Sequence, residues 1–149
     1  MAAVGLWGAF LGRPLVYLLP VIFPLMMVCG AVLGMLGVWL PPVEAGIAAS
    51  LLMLGVCVAG GLRLPVREAC LIVAMFAVFH GYAHGQELPS AADPVGYSMG
   101  FVLATGLVHL SGIALGLLKD STVGLRLIRS CGIAIAVVGG YLAVRTVAP

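Results

Sequence analysis

The sequence predicts an all-α fold: a polytopic integral membrane helix bundle with five full transmembrane helices and a truncated first one. Three observations predict it. Apolar residues make up 63% of the 149 and charged residues only 8%, against roughly 45–50% and about 25% in an ordinary soluble domain. Long charge-free runs match the length of a bilayer crossing. The 21 glycines fall mostly inside those runs, where small residues let membrane helices approach closely. The same composition excludes a soluble globular enzyme, a disordered chain and a nucleic-acid partner, because seven Lys and Arg form no basic stripe.

The first element, residues 1–12, is apolar but short. Ala2 to Gly12 makes roughly 17 Å of helix, about half a hydrocarbon core. It lacks the basic start and small-residue cleavage site of a secretory signal, and it reads as the second half of a helix whose first half is missing. The second span, 15–40, lies in the charge-free run Pro14 to Val43, and Pro41-Pro42 should end it near Trp39 or Leu40. The third (44–62), fourth (67–86), fifth (94–118) and sixth (125–147) are bounded by charged residues, and each approaches the ~20 residues that a crossing needs. Together they form one transmembrane domain over 1–149. Cys29, Cys57, Cys70 and Cys131 form no CxxC pair and read as small core residues.

Charge placement orients the bundle. Arg13, then Arg63 and Arg67, then Lys119, Arg126 and Arg129 fall in alternate loops, so they share one side, which the positive-inside rule makes cytoplasmic. Glu44, Glu87 and Asp93 lie in the opposite loops, which face outward with the C-terminus. Glycine pairs four apart (Gly8/Gly12, Gly30/Gly34, Gly81/Gly85, Gly96/Gly100, Gly112/Gly116) mark close helix contacts and leave a homo-oligomer open.

Ionisable groups in membrane helices are costly and point to function. His80, His84 and Glu87 stand at helix offsets of four and seven, so they share one face. Glu44 starts the preceding span at the same outer end, and His109 sits deeper in the fifth. Neutral imidazole with carboxylate suits nickel, zinc, cobalt or iron(II), and these five residues are the candidate metal ligands of an inward cation pathway. On the residues alone, His109 reads more readily as a structural donor to a carbonyl than as a ligand, and Glu44 equally as a helix N-terminal carboxylate. Phe23 and Met26-Met27 read as core packing.

The stretch Ala77-Val78-Phe79-His80-Gly81-Tyr82-Ala83-His84-Gly85-Gln86-Glu87-Leu88-Pro89 resembles the histidine block of the HupE/UreJ family of bacterial hydrogenase and urease accessory membrane proteins. Pro42-Val43-Glu44-Ala45-Gly46-Ile47-Ala48 and Gly100 to His109 with Gly112-Ile113-Ala114 are similar to further family motifs. The resemblance implies a multi-pass protein of the inner membrane with about six spans, acting as a secondary nickel permease linked to urease or hydrogenase maturation. It implies functional roles for His80, His84, Glu87 and Glu44, and for Phe23. Family members carry a His-Pro-x-x-Gly-x-Asp-His run in their first helix. Met1-Ala2-Ala3-Val4-Gly5-Leu6-Trp7 begins after it, so a form truncated at the N-terminus is expected.

The expected function is therefore nickel, or cobalt, permeation. No enzyme activity is expected, since no nucleophile-and-base pair or phosphate loop is present. No cofactor is expected to be permanently bound, and Ni(2+) is the transported ion. Two alternatives remain at this stage. One is a haem-binding subunit with His80 or His84 and His109 as axial ligands; the other is a non-transporting accessory or scaffold protein.

Overall fold

The computed structural model describes residues 1–87 and 93–147. Its helices are α1 (Ala2–Leu11), α2 (Leu15–Met35), α3 (Val43–Gly60), α4 (Val66–Glu87), α5 (Pro94–Gly116) and α6 (Thr122–Val147), with a 3-10 turn at Leu117–Asp120. All but α1 are long and apolar enough to cross a membrane.

The shortest helix is the centre of the bundle. α1 has no polar face, and a helix apolar all round belongs inside. Val4, Leu6, Trp7 and Ala9 are at most 2% exposed, and α1 packs on α2, α3, α5 and α6. Polar contacts fix its C-terminal end. The Trp7 indole N–H donates to the Leu62 carbonyl at 3.0 Å. Lys119 Nζ donates to the Ala9 and Phe10 carbonyls at 2.7 and 3.4 Å, groups that a helix end otherwise leaves without partners. Arg63 lies over the Phe10 ring, 5.9 Å from its centroid. Arg63 and Lys119, from two of the loops that sequence puts on one side, therefore meet at one end of α1.

Glycine organises the remaining contacts into three helix pairs. In the parallel pair α2–α4, a Cβ on Gly30 would strike the Val78 carbonyl, and one on Gly34 that of Tyr82. Reciprocally, Gly81 and Gly85 lie on the backbone of Met27 and Ala31. Gly5 and Gly112 seat α1 against α5 in parallel, while Gly55, Gly132 and Gly139 seat α3 against α6 antiparallel. Lipid is as apolar as the side chains, so backbone approach and dispersion, rather than water exclusion, drive such pairing. Two of the five sequence pairs, Gly8/Gly12 and Gly96/Gly100, do not serve this purpose in full. Among the described residues nothing lies near Gly12 or Gly100, and Gly96 faces the Asp93 carboxylate at the start of its own helix.

Helix ends depart from the sequence expectation where capping outranks proline and charge. α2 stops at Met35, well before Leu40, because Gly37 takes φ +65° and the Val38 N–H donates to the Leu33 carbonyl at 3.1 Å. That left-handed closure ends the helix before Pro41 is reached. Gly61 (φ +62°) closes α3 similarly, with Leu62 N–H on the Cys57 carbonyl at 2.9 Å. α6 starts at Thr122 because Ser121 Oγ accepts the Gly124 N–H at 3.0 Å. Within α2, Pro20 and Pro24 leave the Val16 and Pro20 carbonyls without helical donors.

Candidate functional site

α1 fills the bundle centre at the basic end, and Met1 at its start borders a cavity. A cavity of about 220 Å³ there is lined by Met1, Phe23, Ser50, Leu54, His80 and Ile135 among others. A second, of about 150 Å³, lies between α2, α4 and α5, with Met27, Met35, His84, Tyr97 and Phe101 on its walls. The two α4 histidines open onto different cavities. Four residues advance a helix by about 6 Å and turn it by about 40°, enough to carry His84 past the wall that His80 faces.

His80 and His109 are held alike. The His80 Nδ1–H donates to the Phe76 carbonyl at 2.9 Å, and the His109 Nδ1–H to that of Thr105 at 2.8 Å. A carbonyl only accepts, so the proton is on Nδ1 and the lone pair on Nε2. Metal-binding histidines are commonly oriented by such a bond. Among the described residues, His109 Nε2 is buried with no hydrogen-bond partner, and the carbonyl bond expected of a structural donor occupies only its other nitrogen. Phe23, 1% exposed, contacts both rings, with centroids 5.7 Å from His80 and 5.2 Å from His109.

His84 has different company. Its ring meets Phe101 edge-on at 4.6 Å, and its Nδ1 shares a 3.3 Å hydrogen bond with the Tyr97 hydroxyl. Glu44 is exposed in the first turn of α3, where the helix dipole favours a carboxylate. Two residues on, Gly46 packs against the Phe79 ring, so this end of α3 lies beside the histidine block. Glu87 ends α4, and its side chain lies outside the described residues. Among the described residues, no three His, Cys, Asp or Glu side chains gather closely enough to hold an ion together. The ligand types are spread along α3, α4 and α5 instead of converging on one centre.

Sequence reasoning missed Ser50, Tyr97, Phe101 and the contacts of Phe23. Ser50 is buried beside His80, with its hydroxyl donating to the Ile47 carbonyl at 2.6 Å. Tyr97 and Phe101 stand four apart at the start of the fifth span, an aromatic pair on one helix face that could have been noticed. The cysteines are free; Cys57 is buried as expected, whereas Cys29 is exposed on α2.

The sequence profile of the HupE / UreJ protein family matches residues 1–142. The chain belongs to the HupE/UreJ family. Protein HupE of Rhizobium leguminosarum bv. viciae is 40% identical over 144 residues, which cover 97% of this chain and 75% of that protein. No solved structure matches the chain. HupE/UreJ proteins are hydrogenase and urease accessory membrane proteins with a general role in nickel or cobalt transport, not a family of enzymes. With five helices able to span a bilayer, the chain is a multi-pass membrane protein of that family.

Proposed function

We propose that the protein is a secondary permease that carries nickel inward across the bacterial inner membrane for hydrogenase or urease maturation. The observation that supports this best is the pair His80 and His109, each held by a backbone carbonyl with Nε2 left to accept an ion. Glu44, Glu87 and His84 serve the outer mouth, His80 the cavity beyond Met1, and His109 the deeper step. Imidazole and carboxylate favour nickel or cobalt over magnesium. Nickel is substrate here, with none permanently bound. An inside-negative potential supplies about 2.3 kcal/mol per charge per 100 mV.

The haem reading fits less well, because a porphyrin between His80 and His109 would have to displace the buried Phe23 ring that abuts both. Radioactive nickel uptake into proteoliposomes tests the permease reading. Uptake should require an inside-negative potential and should fall at least tenfold in His84→Ala, in line with the loss of a metal ligand or its support. Potential-independent or unaltered uptake would overturn it. The proposed topology has Lys119 and Arg63 cytoplasmic and the C-terminus periplasmic. In a cysteine-free background an impermeant thiol reagent should label Trp39→Cys, and not Ser121→Cys, in whole cells.

A further inference from the structure

Three histidines present three Nδ1 atoms, and one of them is held differently. His80 and His109 each give their Nδ1 proton to a carbonyl of their own helix, which fixes one tautomer. The Nδ1 of His84 instead meets the hydroxyl of Tyr97, on another helix. A phenol both donates and accepts. When His84 Nδ1–H donates to the Tyr97 oxygen, Nε2 has the lone pair that a metal ion needs. When the Tyr97 O–H donates to Nδ1, the imidazole proton is on Nε2, and that nitrogen cannot ligate.

The phenol is itself held in place. The Tyr97 ring stacks on Phe101, with planes 8° apart and centroids 6.4 Å apart, and Phe101 in turn abuts the His84 ring. The first turn of α5 is secured by Asp93, whose carboxylate accepts the Val95 N–H at 3.0 Å and whose carbonyl accepts that of Tyr97 at 3.0 Å. The 3.3 Å bond to His84 is long for its type. His84, Tyr97 and Phe101 line one cavity together with Met27 and Met35.

We propose that Tyr97 is a positioning residue for His84, its hydroxyl holding the orientation in which this imidazole receives the ion at the outer cavity. The proposal rests on the reading of His84 as a nickel ligand. Outer partners of metal-binding histidines are worth roughly 10–100-fold in affinity or activity. Tyr97 should therefore act on nickel capture, leaving the later steps at His80 and His109 untouched.

Tyr97→Phe removes the hydroxyl and keeps the ring on Phe101. In proteoliposomes it should raise the KM for nickel uptake about tenfold and leave the maximal rate within about twofold. Nitrogen-15 spectra of histidine-labelled protein without metal should show the His84 ring signals moving in this variant while those of His80 and His109 stay. Phe101→Leu loosens the ring beneath Tyr97 but retains the hydroxyl, and should raise the KM in the same direction. An unchanged KM and unchanged His84 signals in Tyr97→Phe, with His84→Ala inactive, would overturn the positioning role alone. Normal uptake by His84→Ala would instead remove the ligand reading beneath it.

Discussion

The two halves of the bundle are built on opposite plans. At the basic end α1 fills the centre, and Trp7, Arg63 and Lys119 tie its last turn to two loops. Beside Met1 lies a cavity walled by α2, α3, α4 and α6, with His80, Phe23 and Ser50 turned towards it. The described residues thus form a packed floor at the basic end and a chamber at the other. The difference teaches that polar side chains are tolerated in this membrane protein where backbone approach, rather than a filled centre, holds the helices together.

That contrast can be broken most severely at the wall. A side chain at Gly81 would drive into the Met27 backbone, so Gly81→Leu should separate α2 from α4 and abolish accumulation of folded protein. Gly100→Ala, with none of the described residues near it, should leave yield and melting temperature unchanged. Equal behaviour of the two in a thermal-melt and size-exclusion assay would show that the glycine pairs do not hold the wall.

The next effect in size belongs to the floor. Lys119→Met removes a charged donor from the α1 carbonyls and should cost about 1.5–3 kcal/mol of stability, with the KM for nickel unchanged. A changed KM at intact stability would mean that the floor takes part in ion handling. A smaller effect comes from Tyr82, whose hydroxyl donates to the Val38 carbonyl at 2.9 Å. Tyr82→Phe should cost about 1 kcal/mol and leave uptake close to wild type, although Tyr82 lies between the two α4 histidines in sequence.

The floor was the less legible half. Charge-free runs are enough to find five spans, because bilayer thickness dictates their length. A run of apolar residues without a polar face says only that α1 is buried, and its place at the centre came from the three-dimensional packing. The α2 end at Met35 was missed because Pro41-Pro42 is the louder signal, while Gly37 acts through a backbone bond that composition does not display. In the chamber, the histidines declared themselves by cost alone. Their division between two cavities follows from 40° of helix rotation and the position of α2, which spacing rules treat as one face. Tyr97 and Phe23 have no charge to flag them, and their importance is a matter of which ring they touch.

The claim that ties these regions together is that an ion passes through the chamber by way of the locked histidines. The most direct test is radioactive nickel uptake into proteoliposomes by His80→Ala and His109→Ala, compared with wild type under an inside-negative potential. The account predicts that each variant remains folded and loses at least tenfold in uptake, as removal of a metal-binding group should cause. Wild-type uptake by both variants would contradict it and would place the path elsewhere.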